Sequence, residues 1–123
     1  MMDLKQMLEL LPPMGDASRH VYVAGPYDQG DVAINVKRAM DAGTRVMDAG
    51  FIPFIPHLTH FFHMSRRRSR TEWLTFSASW LLRCGAVYNY DPHLPSEGRD
   101  LELELARWYG IPIVESTLDL CKD

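Results

Sequence analysis

Short apolar runs alternate along this chain with longer segments in which apolar positions return every three or four residues. His20 to Gly25 (His-Val-Tyr-Val-Ala-Gly) is β-branched and apolar and meets Gly25-Pro26, which predicts a buried strand stopped by a turn. From Asp31 to Ala49, the residues Val32, Val36, Ala39, Met40, Gly43, Val46 and Met47 recur at helical spacing, and Gly50 supplies the C-cap. Phe51 to Ile55 predicts a second strand, which Pro53 and Pro56 push towards a sheet edge or an early end. A long polar loop is expected next. Thr71 to Cys84 then carries Trp73, Leu74, Phe76, Trp80, Leu81 and Cys84 at helical period, and Gly85 to Tyr90 predicts a third strand ended by Asp91-Pro92. Ser96 to Tyr109 predicts a helix capped by Gly110, Ile111 to Val114 a fourth strand, and Ser116 to Cys121 a short terminal helix.

Ahead of this pattern, Leu4, Met7, Leu8 and Leu11 make one apolar stripe of a short helix from Asp3 to Leu11, ended by Pro12-Pro13. It suits packing on the domain or on a second subunit. The organisation expected is an N-terminal helix and linker over 1–18 and one α/β domain over 19–123. Strands alternating with helices imply right-handed βαβ units. The fold expected is a flavodoxin- or Rossmann-like three-layer α/β fold with a four- to five-stranded, mainly parallel sheet. In such sheets ligands bind beyond the carboxyl ends of the strands, so the loops after Ala24, Ile55, Tyr90 and Val114 are where chemistry belongs.

Composition narrows the function classes. A chain of 123 residues, 46% hydrophobic and 24% charged, matches one ordinary globular domain rather than a disordered segment. No apolar run approaches the roughly 20 residues of a membrane span. The net charge of −3 argues against a polyanionic partner, so neither membrane nor nucleic acid is expected. The segment from Met1 to Pro13 lacks the basic and apolar regions of a secretory signal, which places the protein in the cytoplasm as an expectation. Cys84 and Cys121 have no Cys-x-x-Cys spacing and are read as reduced structural thiols.

Two loops carry candidate chemistry. Gly25-Pro26-Tyr27-Asp28-Gln29-Gly30 joins a strand to a helix, where backbone N–H groups and the helix dipole hold phosphates, although its glycines fit neither a dinucleotide fingerprint nor a Walker loop. Ser96-Glu97-Gly98-Arg99-Asp100-Leu101-Glu102 puts a hydroxyl, a glycine and carboxylates at a helix start. With about 100° per residue, Leu101, Leu105, Trp108 and Tyr109 share a core-facing arc, and Glu102 falls on its border, half buried towards the cleft. Glu97 and Asp100 complement the dipole from the exposed first turn. His57, His60 and His63 are three apart but lack a fourth ligand, and no metal or cofactor is expected. Arg66-Arg67-Arg68 with Arg70 reads as a solvated loop, with a phosphate clamp as its sharper alternative.

The combination of Val21-Tyr22-Val23-Ala24-Gly25-Pro26-Tyr27, Gly50 with Pro56-His57-Leu58, and Ser96-x-Gly98-x-x-x-Glu102-x-x-x-Ala106 before Gly110-Ile111-Pro112 resembles the nucleoside 2-deoxyribosyltransferase-like superfamily, which includes 2′-deoxynucleoside 5′-phosphate N-hydrolases. The similarity runs from about Val21 to Val114. It implies cleavage of an N-glycosidic bond, with Glu102 as nucleophile and Tyr22 touching the nucleophile or the sugar. Ser96 takes the place of a serine that helps bind a 5′-phosphate, and Gly98, Gly25, Pro26, Tyr27, Gly30 and His57 would complete the substrate pocket. The substrate class implied is a nucleotide or nucleoside, hydrolysed or passed to another base, in a homodimer or larger homo-oligomer. One departure stands out. Where the superfamily has an aspartate that assists the departing base, this chain has Ser77, leaving Glu72, Asp91 and His57 as substitutes. The rival reading is a nucleotide-binding module with weak chemistry, and a third is a nucleic-acid adaptor using Arg66 to Arg70.

Overall fold

The computed structural model describes residues 1–121. The chain runs α1 (Leu4–Leu10), β1 (His20–Ala24), α2 (Val32–Asp48), β2 (Ile52–Phe54), a 3₁₀ turn (Pro56–Leu58), α3 (Thr59–Ser65), α4 (Arg70–Leu81), β3 (Ala86–Asn89), α5 (Glu97–Trp108), β4 (Ile113–Val114) and a final 3₁₀ turn (Thr117–Cys121). The four strands form one sheet in the order β2-β1-β3-β4. All three pairings are parallel, with Tyr22 level with Phe54 on one side and Val87 on the other. This is an α/β, flavodoxin-like three-layer fold. Residues 122–123, the end of the expected domain, lie outside the described residues.

The alternation of β1 sets the two cores. Val21 and Val23 point to the face covered by α2, where they meet Ala39, Ala42 and Val46. Tyr22 and Ala24 point to the other face and pack with Leu81 of α4 and with Leu103 and Ala106 of α5. β1 is buried on both faces, as a near-continuous apolar strand in a parallel sheet should be. β2 sits at the edge, where Pro53 withholds no needed donor. Gly50, at φ +88°, ends the α2 segment after its C-cap Ala49.

Several expectations are corrected. The polar loop after Ile55 contains the 3₁₀ turn and α3. α3 buries none of its residues, so no apolar period announces it; Phe62 and His63 instead lean on Trp73 of α4. In α2 the buried stripe is Asn35, Val36, Ala39, Ala42, Gly43 and Val46, and Met40 and Met47 face outward. α4 stops before Cys84 and buries only Ser77 and Leu81, with Phe76 and Trp80 exposed. The arc assigned to α5 is rotated: Leu101, Trp108 and Tyr109 are exposed, and Arg99, Glu102, Leu103 and Ala106 face the sheet. Small Ala106 packs against Tyr22 and Ala24 of β1, and the same helix face carries Glu102 into the buried set. Cys84 joins the core, where burial pushes its thiol up to about 11, whereas Cys121 is exposed and not structural. The expected packing of the α1 stripe on the domain buries none of its residues, and Leu4, Met7, Leu8 and Leu11 are all exposed.

Candidate active site

The sheet order reverses between β1 and β3, so the loops leaving those two strands diverge and open a crevice. A cleft of about 260 Å³ lies there. It is lined by Gly25, Tyr27 and Asp28 after β1, by Pro56 and His57 after β2, by Trp73, Leu74 and Ser77 on α4, and by Ser96, Gly98 and Glu102 at the start of α5.

At its base, the phenol O–H of Tyr22 donates to Oε2 of Glu102. Tyr22 is fully buried and Glu102 is 8% exposed. The Tyr22 ring is fixed by stacking on Phe54, with centroids 5.7 Å apart. Burial dominates the electrostatics of the pair. It raises Glu102 to about 7, against the opposing pull of the Tyr22 hydrogen bond and the Arg99 charge. The same desolvation, reinforced by the carboxylate, holds the Tyr22 phenol well above its ordinary value, so it remains a donor at neutral pH.

The β1–α2 loop is held from three directions. Nε2–H of His57 donates to the carbonyls of Gly25 and Pro26, at 3.0 and 2.9 Å. Two acceptors at one nitrogen fix the proton there, and burial lowers the pKa of the ring, so His57 is neutral with a bare, unpartnered Nδ1. Nδ2 of Asn35 donates to the carbonyls of Tyr27 and Gln29, both at 2.8 Å. Oε1 of Gln29 in turn accepts the Glu97 N–H at 3.0 Å, which ties this loop to the start of α5. Gly25 lies against Tyr90, and any Cβ at that position would overlap the phenol ring.

Arg99 organises the other loop. It is 4% exposed, and its Nη1 donates to Oδ1 of Asn89 and to the carbonyl of Asp91. Ser96 caps α5 by accepting the Arg99 N–H at 3.1 Å. Neither Arg99 nor Asn35 was found from the sequence, because a charged or amide side chain inside a helical stripe reads as solvent-facing. Their positions were the available signal, Arg99 within the Ser96 to Glu102 segment and Asn35 in the first turn of the helix that follows the Gly25 to Gly30 loop.

The structure brings together Tyr22, Gly25, Tyr27, His57, Ser96, Gly98 and Glu102. Pro26 contributes through its carbonyl to His57 rather than to the lining. Gly30 lies in an exposed turn at φ +88°, off the cleft. The three histidines diverge: His57 meets the Gly25 loop, His60 Nδ1 meets the Tyr27 hydroxyl at 2.9 Å, and His63 Nδ1 accepts the Trp73 indole N–H at 2.7 Å. Among the described residues no group of His, Cys, Asp or Glu is arranged to hold a metal ion. Of the three substitutes for a leaving-group acid, Glu72 is exposed and engaged with Ser69 and Arg68, Asp91 is off the cleft, and His57 has its one proton committed to carbonyls. Ser77 itself is buried and lines the cleft.

Fold and cleft define a parallel α/β domain with a crevice at its topological switch point. The chain belongs to DUF7768, a family described as a domain of unknown function, which matches residues 19–116 and leaves α1 outside. No curated protein and no solved structure matches it.

Proposed function

We propose that this protein cleaves the N-glycosidic bond of a (deoxy)ribonucleoside 5′-monophosphate, by hydrolysis in preference to base transfer. The observation that carries this reading is the buried Tyr22–Glu102 pair on a cleft at the switch point. A carboxylate near neutrality, oriented by a donor that stays protonated, is the equipment for attack on an anomeric carbon. As the Glu102 oxygen bonds to C1′, the bond to the base breaks and its electron pair leaves with the base, which takes a proton from water. The hydroxide equivalent of a second water then replaces Glu102 at C1′ and its proton returns to solvent. Two inversions give net retention.

The test is to incubate the protein with ribo- and deoxyribonucleosides and their 5′-monophosphates and to separate free base by chromatography. Base release that disappears in Glu102→Ala, with the fold intact by circular dichroism, is expected. Release that survives the substitution removes Glu102 as nucleophile.

Ser77 on the cleft wall favours one other reading, a nucleotide-binding module of the same fold with weak chemistry. It predicts thermal stabilisation by a nucleotide without any base release. No helix among the described residues is long and apolar enough to cross a membrane. We place the protein in the cytoplasm as a homodimer or larger homo-oligomer, a reading supported by the exposed Leu101, Trp108 and Tyr109 of α5 and Phe76 and Trp80 of α4.

A further inference from the structure

We propose that Arg68 and Arg70 form the anion-binding end of the cleft and select a substrate carrying a monoester phosphate over its unphosphorylated counterpart. The inference rests on the function proposed above and adds the residues that read the charged end of the substrate.

The basic cluster is divided by the fold. Arg68 and Arg70 line the cleft with Ser96 and Gly98, and Arg66 and Arg67 do not. Their positions are set by structure rather than by a free loop. The Arg68 backbone N–H donates to His63 Nδ1 at 3.2 Å, Ser69 caps α4 by accepting the Glu72 N–H, and Arg70 is the first residue of that helix. Nη2 of Arg70 comes within 3.9 Å of the point where a Cβ on Gly98 would stand, so its guanidinium overhangs the first turn of α5.

That turn has donors to spare. The Glu97 N–H goes to Gln29 and the Arg99 N–H to Ser96 Oγ, and the Gly98 N–H has no partner among the described residues. Ser96 Oγ acts as an acceptor, which leaves its own proton to donate. The buried, unpartnered Nδ1 of His57 marks the same cleft as built for a molecule with donors of its own.

Among the described residues the side chains of both arginines are paired with exposed carboxylates. Arg68 pairs with Glu72 at 3.1 Å and Arg70 with Glu97 at 3.6 Å, with each side chain more than a third exposed. Such pairs contribute little, so both guanidinium groups are free to exchange a single carboxylate for a dianion that matches their fork. Spacing fits the chemistry. Gly98 and Glu102 are one helical turn apart, roughly 6 Å, which is the scale separating the 5′-phosphate of a nucleotide from its anomeric carbon.

The experiment is titration calorimetry at fixed ionic strength with ribose 5-phosphate and ribose as probes, on the wild type and on Arg70→Gln, Arg68→Gln, Glu97→Gln and Glu102→Gln. Ribose 5-phosphate is expected to bind more tightly than ribose. Arg70→Gln should weaken it about tenfold or more, the loss of one charged hydrogen-bonding partner. Glu97→Gln should tighten it several-fold by freeing Arg70, an effect that a purely structural role for Arg70 would not produce. Equal binding by the wild type and Arg70→Gln, or equal affinity for ribose and ribose 5-phosphate, overturns the clamp. The two proposals fail separately. Arg70-dependent binding without Glu102-dependent base release keeps the clamp and removes the glycosidase, and Glu102-dependent release with nucleosides matching nucleotides removes the clamp alone.

Discussion

The nucleophile proposed above, Glu102, has to be charged to attack carbon, and its burial opposes that charge. Its folded value of about 7 stands above the ordinary 4.5, so the native state binds the proton more tightly than the unfolded chain does. Stability is therefore greatest below the unfolded value and falls as the pH rises from 4.5 to 7, by roughly 3 kcal/mol at the upper end. Urea unfolding should show Glu102→Gln close to the wild type at pH 4 and more stable by about that amount at pH 8. A constant difference across this range would mean that Glu102 is not the group that titrates. Activity should run the opposite way, rising with pH through an acid limb near 7 as the nucleophile ionises. Tyr22→Phe keeps the ring on Phe54 but removes the hydrogen bond that lowers Glu102, so the limb should move to higher pH and kcat should fall more at pH 6.5 than at pH 8.5. An unmoved limb would show that the phenol does not tune the carboxylate. Glu102 was legible as a candidate from its place at a helix start, and the resemblance added Tyr22 and the role expected of Ser96. The contact between Tyr22 and Glu102 was not legible, since it joins positions 22 and 102 across the sheet.

Elements decide how firmly the loops present these groups. Arg99 projects back from α5 onto β3 and the loop that follows it, where it meets acceptors on Asn89, Asp91 and Leu94. Arg99→Met leaves those covered acceptors without their donor and should destabilise the protein by about 2 kcal/mol. Hydrogen exchange should quicken across residues 90–96, and unchanged protection there would show that the loop stands without it. The strands, α2, α4 and α5 were all visible from periodicity, with ends displaced by a few residues. α3 was invisible because it covers no core, and the inward face of α5 was misjudged because hydrophobicity was taken to decide which side is buried. At this helix the buried polar groups bring their own partners, Tyr22 for Glu102 and loop carbonyls for Arg99, so burial is compatible with charge.

At the scale of the molecule, α1 is the part the domain does not use. A helix of seven residues is marginal alone in water, and its capping box with Asp3 and Gln6 holds only the first turn. Deleting residues 1–11 should leave the unfolding free energy of the domain within about 0.5 kcal/mol, because no buried contact is removed. A larger loss on denaturant unfolding would reveal a contact that the single chain lacks. The sequence by itself determined the succession of strands and helices, the parallel α/β class and the strand-end loops that border the cleft, because these follow from local periodicity, glycine and proline. Only the tertiary structure decided which face of α5 meets the sheet, that Arg68 and Arg70 reach the cleft, and that Glu102 is buried and paired with Tyr22. Those outcomes depend on how closely helices approach a twisted sheet, a distance set jointly by side chains far apart in the chain.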